Sequence, residues 1–477
     1  MNRTILGDKA FYRSIFAIGL PVAFQNLLAT TASMVDTIML GAQGELAVAA
    51  VGICSQFSSL MFSAYFGFTN GGMLFFAQYW GAKDEEGICR AYGVTQVFMM
   101  LVALLFAGVS VLAPEFVLSV YTDKPNIQAI GVEYLRITGW SYPLQVLAMA
   151  ISSLLRSTEK VKQPLYASIV SLLTNCLVNY LLIFGKFGLP AMGARGAAVG
   201  TVVSAIVNVG LLYLLAARDD HSFVLRVADQ FRWTAAFVRQ YLAKSLPIIG
   251  NELLYGVGQM LINIVIGRQD EAGIAAMAAF RVVEGLIFAF FVGLSSASGV
   301  VVGKQIGAGQ HESGFLDAKR FALICPTITL CICLLLLPVR GPLLGLFGLG
   351  ETALYYGKWM LLVYAVAGTV RTCNYMMNNN FRAGGEPVFG TVLEISGLFL
   401  ITVPLTWCAG IVWRLPFLAV FSFMYMDEFL RLFLELWYLR SGRWIKPVTV
   451  EGAATLEAFR ASLALRRHSK RRPQQNA

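Results

Sequence analysis

Long apolar segments alternate with short polar breaks along the whole chain. Each segment is long enough for a membrane-spanning helix, which requires about 20 predominantly apolar residues. The breaks contain charged residues, glycine or proline. This pattern predicts twelve transmembrane helices. We expect them at Ser14–Leu40, Leu46–Gln78, Tyr92–Ala113, Val132–Leu155, Pro164–Phe184, Gly196–Ala216, Leu242–Gly267, Ile274–Gly303, Phe321–Val339, Ala353–Asn378, Phe389–Ile411 and Phe417–Leu439.

The second half of the chain repeats motifs of the first half at one constant offset in the sequence. Gly19–Pro21 (GLP) corresponds to Ser245–Pro247 (SLP), and Leu155–Thr158 (LRST) corresponds to Phe381–Gly384 (FRAG). Six helices in each half give both copies the same orientation, so we expect parallel repeats related by an axis along the membrane normal. The sequence thus predicts an all-α polytopic membrane protein with twelve transmembrane helices in two six-helix lobes related by pseudo-two-fold symmetry.

A polar stretch near the middle of the chain separates the two predicted lobes. We expect an N-lobe (helices 1–6) at 1–217, a cytoplasmic inter-lobe linker at 218–241, a C-lobe (helices 7–12) at 242–440 and a basic cytoplasmic tail at 441–477. The linker combines aromatic and basic residues, which fits either a short interfacial helix or a solvated linker. The end of the tail, RRHSKRRPQQNA, is expected to be disordered.

Composition and charge also indicate a membrane protein. Hydrophobic residues make up 57% of the chain and charged residues 13%, whereas soluble proteins contain about 25% charged residues. The N-terminus and alternate loops hold 17 Lys and Arg residues, against 7 in the other loops. The positive-inside rule therefore predicts two cytoplasmic termini. The basic tail is interpreted as a topology anchor that contacts anionic membrane lipid, and nucleic acid is not an expected partner.

One carboxylate lies inside the first predicted helix. Asp36 is the only charged residue between Ser14 and Gly44. An aspartate at the centre of a membrane helix costs about 2.5–3.5 kcal/mol on insertion scales, and intramembrane carboxylates are by default candidates for function. The alternative is that Asp36, four residues before Leu40, lies near the helix end and reaches headgroup water.

Polar side chains recur with helical spacing on three consecutive predicted helices. They are Ser171, Asn175 and Asn179 on the fifth helix, Thr201, Ser204 and Asn208 on the sixth, and Asn251, Glu252, Tyr255, Gln259 and Asn263 on the seventh. Such residues either join helices through hydrogen bonds or line a hydrated pocket. Their concentration on neighbouring helices, together with Asp36, favours the pocket.

Charged residues also lie inside later predicted helices. Arg281 and Glu284 are three residues apart on the eighth helix, so we expect them to pair with each other. Arg371 on the tenth helix and Glu394 on the eleventh either pair across helices or contact a transported molecule. The eight cysteines are scattered without metal-ligand spacing and are interpreted as packing residues.

Several motifs resemble the multidrug and toxic compound extrusion (MATE) family. The residues that carry the resemblance are VDTIMLG at Val35–Gly41, LAVAAVG at Leu46–Gly52, AQYWGAKDEE at Ala77–Glu86, LLRSTEKVKQP at Leu154–Pro164, TNCLVNYLLIFG at Thr174–Gly185 and GARGAAVGT at Gly193–Thr201. The second half repeats these signals in IAAMAAFRV, GKQIGAG and FRAGGEP. The resemblance covers nearly all of Ile15–Leu439. It implies twelve helices in two lobes and efflux driven by inward movement of H⁺ or Na⁺.

The resemblance also implies a cation-coupling site in the N-lobe. That site would consist of Asp36, Asn175, Asn179 and Thr201, with the two amides and the hydroxyl holding the carboxylate. Many prokaryotic relatives have aspartate at the position of Asn179, so this chain has one titratable group fewer there. Neutralising Asp36 is expected to loosen the network and to let the first helix bend at Pro21, which lacks a backbone donor.

A second site is expected in the C-lobe, as a cation site or as a set of substrate contacts. Other relatives combine a glutamate on the seventh helix with an aspartate on the tenth. Glu252 resembles the first of these residues, whereas Arg371 is the charged residue of the tenth helix. The full candidate set is Glu252, Tyr255, Gln259, Arg281, Glu284, Arg371 and Glu394.

These features predict a cation-coupled antiporter, driven by H⁺ or Na⁺, that exports small organic compounds of cationic or amphipathic character by alternating access. We expect it in the bacterial inner membrane as a monomer, with a small-molecule substrate and membrane lipid as partners. Neither enzymatic activity nor a cofactor is expected, and no metal other than Na⁺.

Three alternatives remain open at the level of the sequence. A flippase for lipid-linked oligosaccharides or lipids from the same superfamily would need several cavity arginines for phosphate groups, and only Arg281 and Arg371 lie at a plausible depth. A membrane enzyme such as an acyltransferase would need a clustered His, Asp or Ser set, which the three histidines do not supply. A channel is disfavoured because a two-lobe repeat favours rocking over a fixed pore.

Overall fold

The computed structural model describes residues 9–218 and 223–471. Within these ranges the chain forms helices and no strands. In chain order the helices are α1 Lys9–Gly41, α2 Glu45–Ala82, α3 Glu85–Leu112, α4 Pro114–Tyr121, α5 Pro125–Thr138, α6 Ser141–Ser157, α7 Lys162–Phe184, α8 Ala194–Ala217, α9 Val227–Gln230, α10 Ala235–Ile266, α11 Glu271–Gly307, α12 His311–Leu336, α13 Arg340–Gly345, α14 Glu351–Ala383, α15 Pro387–Gly397, α16 Val403–Trp407, α17 Phe417–Phe423, α18 Met426–Ser441 and α19 Val450–Arg471. Two π-helical turns, Leu398–Thr402 and Cys408–Val412, flank α16.

All twelve predicted segments are helical, with breaks in three of them. In the described part of the chain, nine segments are long and apolar enough to cross a membrane: α1, α2, α3, α7, α8, α10, α11, α12 and the stretch from Pro387 to Val412. The prediction of an all-α polytopic membrane protein is confirmed. The other three predicted segments differ because the fourth and the twelfth are each split into two shorter helices and the tenth, α14, is rich in asparagine.

Prolines explain two of the breaks. Pro143 lies in the first turn of α6, and helices usually end before such a residue because proline lacks a backbone donor and restricts its predecessor. The chain accordingly breaks between α5 and α6 at Gly139 and Trp140. Pro404 lies in the first turn of α16, two residues after the first π-helical turn. Such a turn is a local widening of the helix that accommodates one extra residue. Residues after this turn are therefore shifted by one relative to the corresponding residues of the first half.

Two polar segments contain more helix than the sequence indicated. The linker contains no separate interfacial helix in its described part beyond the single turn of α9, because α10 begins at Ala235 and continues without interruption to Ile266. The tail is helical rather than disordered as far as Arg471, where α19 ends; the prediction for 472–477 lies outside the described residues. No helix-breaking residue separates Ala235 from the apolar segment that follows, so the helix propagates backwards into the linker.

The tail helix α19 is fixed by side-chain bonds to backbone carbonyls at the turn between α11 and α12. Thr449 Oγ1 donates to Gly307 O at 2.8 Å, and Thr455 Oγ1 donates to Gly309 O at 3.0 Å. The buried His311 contacts Gly452 O through Nε2 at 2.8 Å. These partners satisfy carbonyls at the end of α11 that have no intrahelical donor, which explains why this segment is ordered.

Tertiary contacts divide the described chain into two compact units. One unit contains the residues up to Leu20, Ala77–Asp84 and the residues from Gly250 on, and the other contains Pro21–Phe76 and Glu85–Ile249. Two boundaries between the units, after Leu20 and after Ile249, each lie within two residues of a proline. These prolines, Pro21 and Pro247, occupy equivalent positions in the two repeats.

Inside the unit that contains Gly250, the ends of α2 and α11 cross at a pair of glycines. A Cβ atom on Gly81 would overlap with the carbonyl oxygen of Lys304, and a Cβ atom on Gly307 would overlap with that of Gln78. The repeat exchanges these two contacts, so the crossing has local two-fold symmetry. Close backbone approach of this kind requires glycine at both positions.

Candidate functional site

Asp36 and two asparagines form the polar centre of the first half of the chain. Asp36 lies on α1 and is half-buried, whereas Asn175 and Asn179 lie on α7 and are buried. Asn179 Nδ2 donates a hydrogen bond to Asp36 Oδ1 at 2.6 Å and another to Asn175 Oδ1 at 3.2 Å. The two asparagines are one helical turn apart and therefore share a face of α7. Asp36 is thus held by an amide of a neighbouring helix.

The expected arrangement around Asp36 is wrong in two details. Thr201 Oγ1 donates to Ala197 O of its own helix at 3.1 Å, so its hydroxyl hydrogen is used within α8. Asn175 is linked to the carboxylate through Asn179, because Asn175 Oδ1 accepts a hydrogen bond from Asn179 Nδ2. Threonine hydroxyls in helices commonly bond to the carbonyl four residues earlier, and this local bond competes with the expected contact.

Three side-chain bonds join α1 and the turn that follows it to α7. Gln25 Nε2 donates to Ser168 Oγ at 3.0 Å, and Asp36 follows with Asn179 at the same sequence separation of 143 residues. Near the helix ends, Gln43 Nε2 donates to Ile183 O at 3.4 Å. Equal separations mean that the two helices run in the same direction with a fixed register. Asp36 therefore occupies the middle of three bonded positions.

The orientation of the Asn179 amide is set by close packing against α8. Its Oδ1 atom is buried and has no hydrogen-bond partner among residues 9–218 and 223–471. A Cβ atom on Gly200 would overlap with this oxygen. The amide hydrogens consequently point towards Asp36, and the uncompensated oxygen adds a cost to the site, since a buried polar atom without a partner costs about 1–3 kcal/mol.

The second half repeats the outer two of these three bonds. Asn251 Nδ2 donates to Glu394 Oε2 at 3.0 Å, again at a separation of 143 residues. Gln269 Nε2 donates to Gly410 O at 3.3 Å, at a separation of 141. The repeat offset, which relates Pro21 to Pro247, also relates Gln25 to Asn251, Ser168 to Glu394 and Gln43 to Gln269. Helices α10 and α15 thus repeat the register of α1 and α7.

The middle bond is absent from the second half because the residue types differ. The position equivalent to Asp36 is Ile262, which is buried. The π-helical turn at Leu398–Thr402 inserts one residue, so that Thr406 instead of Leu405 corresponds to Asn179. Thr406 Oγ1 is buried without a hydrogen-bond partner in the described part of the chain. A carboxylate–amide pair in the first half is thus replaced by an isoleucine and a threonine.

A cavity of about 240 Å³ lies within the unit that contains Gly250. Its wall combines aromatic, methionine and charged side chains. They are Tyr255, Gln259, Ile262, Met277, Phe280, Arg281, Glu284, Arg371, Glu394, Leu398, Thr402, Met424, Tyr425, Asp427, Glu428 and Arg431. Six of the seven residues of the C-lobe candidate set line this cavity, and Glu252 does not. The structure thereby brings together residues from α10, α11, α14, α15 and α18.

The ion pairs in this cavity differ from the expected ones. Arg371 donates to Glu284 Oε1 at 2.7 Å and to the Tyr255 hydroxyl at 3.0 Å. Arg281 instead donates to Asn263 Oδ1 at 2.8 Å. The expected pair Arg281–Glu284 is therefore wrong, and of the two alternatives for Arg371 and Glu394 the structure of the described residues does not show the direct pair. Arg371 is the more buried guanidinium, so the interhelical bond to Glu284 displaces the local one.

Glu394 and Glu252 are held by other partners. Glu394 Oε2 accepts hydrogen bonds from Asn251 and Asn378, the latter at 2.9 Å. Arg382 lies 3.5 Å from Glu252 and 3.9 Å from Glu394. These contacts place Arg382 between the two carboxylates. Glu252 thus belongs to an ion-pair network beside the cavity.

A charged cluster on α18 was not predicted from the sequence. Arg431 lies 3.1 Å from Asp427 Oδ2 and 2.6 Å from Glu428 Oε2. Thr402 donates to Asp427 at 2.6 Å, and Asn374 donates to Glu428 at 2.8 Å. Its sequence signal is the spacing of Asp427, Arg431 and Glu435 at i, i+4 and i+8, which places three charged residues on one face of a predicted membrane helix.

Glu435 completes this face and has no hydrogen-bond partner. Its side chain is 0% exposed, and neither Oε1 nor Oε2 makes a hydrogen bond to any described residue. The nearest guanidinium nitrogen, Nη1 of Arg431, lies 3.9 Å from Oε1, which is beyond hydrogen-bond distance.

Pro21, the expected bending point, lies inside α1 without ending the helix.

Comparison with known proteins gives consistent results. The MatE family model matches residues 21–181 and again residues 247–408. The two matches start at the repeated prolines, Pro21 and Pro247, and the second match is longer than the first by one residue. This agrees with the repeat and with the residue inserted at the π-helical turn.

Relatives match along almost the whole chain. The transporter YisQ of Bacillus subtilis is 21% identical over 92% of this chain and 96% of its own length. A probable multidrug resistance protein NorM of Thermotoga maritima is 24% identical over 91% and 93%. A crystal structure of MATE in the bent conformation superposes with a TM-score of 0.81 at 17% identity, over 96% of this chain and 98% of the other. This likeness confirms the predicted fold of twelve helices in two six-helix lobes.

Proposed function

Since the chain belongs to the MatE family of efflux transporters, we propose that it is a cation-coupled antiporter that exports small organic cations or amphipathic compounds by alternating access. The bond from Asn179 to Asp36 at 2.6 Å is the observation that carries this proposal. It provides an intramembrane carboxylate that can bind H⁺ or Na⁺ and that is mechanically linked to a second helix. A membrane-embedded carboxylate in such a position is by default a candidate for ion coupling.

The coupling step follows from the difference between a charged and a neutral Asp36. The ionised carboxylate accepts a charge-assisted hydrogen bond from Asn179, which contributes about 1.5–3 kcal/mol. Binding of a cation weakens this bond and loosens the middle contact between α1 and α7. Pro21, which lacks a backbone donor, lies upstream on the same helix and provides a place where α1 can bend. A similar transporter has been solved in a bent conformation.

The energies show that this bond is one contribution among several. Shifting a two-state equilibrium from 1:99 to 99:1 requires about 5.5 kcal/mol of differential binding. A charge-assisted hydrogen bond supplies at most about half of this. We attribute the remainder to the change in charge of a partly buried carboxylate. Because Asn179 cannot take up a proton, the Asp36 site offers a single titratable carboxylate and binds one monovalent cation at a time.

The cavity in the second half supports a preference for cationic compounds. Four carboxylates line it, Glu284, Glu394, Asp427 and Glu428, against three arginines, Arg281, Arg371 and Arg431. Arg371 and Arg431 are both bound to carboxylates, so their charge is compensated. Aromatic side chains in the wall provide faces for organic cations.

A lipid-linked oligosaccharide or lipid flippase is the second candidate function. The observation in its favour is the number of cavity arginines, which is three and so larger than the two expected from the sequence. Phosphate recognition would require guanidinium groups free to donate bidentate bonds. The ion pairs of Arg371 and Arg431 argue against this use, and the cation exporter is the better supported candidate.

We further propose that the protein works as a monomer surrounded by lipid in a bacterial inner membrane, with both termini in the cytoplasm. Bacterial relatives support this placement. The distribution of Lys and Arg residues between alternate loops supports the orientation. No cofactor besides the coupling ion is needed for the proposed cycle.

Transport by purified protein in proteoliposomes tests the proposal. A pH gradient and a Na⁺ gradient are imposed separately, and a panel of organic cations and a lipid-linked sugar are offered. We expect gradient-driven export of organic cations by the wild type and its loss in Asp36→Asn. Asp123→Asn, an exposed loop residue, is the matched control and should behave as the wild type. Export of a cation against its gradient by Asp36→Asn contradicts the coupling role.

A further inference from the structure

We propose that Glu435 is a proton-binding site that controls how strongly the cavity of the second half binds an organic cation, through the guanidinium of Arg431. The proposal rests on the proposed export of organic cations and adds a second point of coupling to it. It starts from the position of Arg431, which lines the cavity, while Glu435 lies one helical turn further along α18 and is fully buried.

The carboxyl groups around Arg431 outnumber its single positive charge, which favours protonation of one of them. Three carboxyl groups, Asp427, Glu428 and Glu435, surround this single guanidinium. Asp427 and Glu428 also accept bonds from Thr402 and Asn374, which stabilise their ionised forms. Glu435 has no such donor in the described residues. An ionised buried carboxylate without hydrogen bonds is costly, so in this conformation Glu435 is the member of the set that carries the proton.

Arg431 is the cation paired with Glu435 in the described part of the chain. The charged or titratable side chains that interact with Glu435 include Arg431, Glu428 and Asp427 on α18, Glu394 on α15 and Cys373 on α14. Arg431 is the only cation among them. Loss of the proton therefore directs Glu435 towards Arg431, whose Nη1 atom is already within 3.9 Å of Oε1.

Sharing Arg431 changes the charge of the cavity wall. While Glu435 is protonated, Arg431 compensates Asp427 and Glu428, which both line the cavity. After deprotonation, part of that compensation moves away from the cavity to Glu435. The wall becomes more negative and binds an organic cation more tightly. A proton on Glu435 and a cation in the cavity thus exclude each other, which is the exchange relation that an antiporter needs.

Binding measurements on the purified full-length chain test this relation without transport. Tetraethylammonium is titrated calorimetrically at several pH values and in buffers of different ionisation enthalpy. In the wild type we expect the Kd to fall as pH rises, by up to about tenfold per pH unit, with release of close to one proton per bound cation. In Glu435→Gln we expect a weaker dependence of the Kd on pH and the release of fewer protons per bound cation, with any remainder due to Asp36.

Three further variants separate the possible explanations. Glu435→Asp keeps an acid at this position and should retain the pH dependence. Glu386→Gln removes a buried carboxylate that is paired with Lys446 outside the cavity, and it should bind as the wild type does. Asp36→Asn removes the carboxylate of the first half, and pH-dependent binding should persist in it.

The outcomes are distinguishable. An unchanged pH dependence and unchanged proton release in Glu435→Gln, or their disappearance in Asp36→Asn, overturn the assignment to Glu435. Absence of tetraethylammonium binding at every pH also overturns it. The proposed export function is tested separately by the proteoliposome assay, because driven transport that depends on Asp36 can occur whether or not Glu435 exchanges a proton.

Discussion

The two halves of the chain share hydrogen bonds at both ends of an equivalent helix pair and differ at the position between those bonds. Gln25–Ser168 and Gln43–Ile183 in the first half have counterparts in Asn251–Glu394 and Gln269–Gly410 in the second. Between these outer bonds, the first half has a carboxylate bound to an amide, whereas the second half has Ile262. The two halves therefore share the bonds that fix helix register and differ at the central position.

The second half carries its charge elsewhere. Its carboxylates and arginines lie around the cavity on α11, α14, α15 and α18, and most of them are paired. Hydrophobic packing also differs, since Phe280 makes edge-to-face contacts with Tyr364 and Phe421 in a large aromatic core. Equivalent helix pairs thus support a small ion-binding position in one half and a paired, aromatic-lined cavity in the other.

The largest effect is expected from placing a carboxylate at the equivalent position of the second half. Ile262→Asp buries a charge in a position without an amide donor, and we expect a loss of about 3–5 kcal/mol of stability. Adding Thr406→Asn should recover part of this loss, because the repeat places residue 406 opposite residue 262. Thermal unfolding in detergent of both single variants and the double variant measures the coupling. Additive losses contradict the equivalence of the two positions.

Removing the amide that holds Asp36 should have the next largest effect. Asn179→Leu leaves the carboxylate without its donor and is expected to cost about 1.5–3 kcal/mol and to abolish gradient-driven export. Asn175→Leu, one turn away on the same helix, is the matched control. Its effect on export should be smaller because Asn175 hydrogen-bonds to Asn179 and not directly to Asp36 in the described structure. Equal loss of transport in both variants disagrees with the bonding pattern in this site.

The outer bonds should differ in strength between the halves. Asn251 donates to a carboxylate and Gln25 to a hydroxyl. Charge-assisted bonds contribute about 1.5–3 kcal/mol and neutral ones about 0.5–1.5 kcal/mol. We therefore expect Asn251→Leu to lower the unfolding temperature more than Gln25→Leu. The reverse order indicates that Arg382, and not Asn251, is the main partner of Glu394.

The smallest effect is expected at Thr201. Its hydroxyl donates within α8, so Thr201→Val removes one local bond and keeps the shape of the side chain. We expect a change of less than about 1 kcal/mol in stability and driven export at close to the wild-type rate in proteoliposomes. A strong loss of export places Thr201 in the coupling site after all, as the family resemblance implies.

Much of the fold could be predicted from the sequence because membrane helices need long apolar segments. The helix breaks could not, since Pro143 and Pro404 act through local backbone geometry that hydropathy does not describe. The repeat was also readable, but a constant offset misaligns residues after the π-helical turn by one. Leu405 then appears opposite Ile262, and the buried hydroxyl of Thr406 is missed.

The candidate sites were predictable in their members and less so in their bonds. Proximity in sequence predicted an ion pair between Arg281 and Glu284, but Glu284 instead pairs with Arg371 on another helix. Spacing on one helix gives no information about a competitor from a second helix. The cluster around Arg431 was missed although its spacing was visible, because the last apolar segment was interpreted only as a membrane span.

The glycine crossing at Gly81 and Gly307 bears on the origin of the chain. Consider a shorter chain with a single copy of the repeat that forms a symmetric dimer about an axis through this crossing. One glycine in its sequence would provide the space needed on both sides of the crossing. The residues opposite the glycines differ between the repeats, Gln78 in one and Lys304 in the other. Both repeats nevertheless have glycine at the crossing, because only a side chain of one hydrogen leaves room for the opposing backbone.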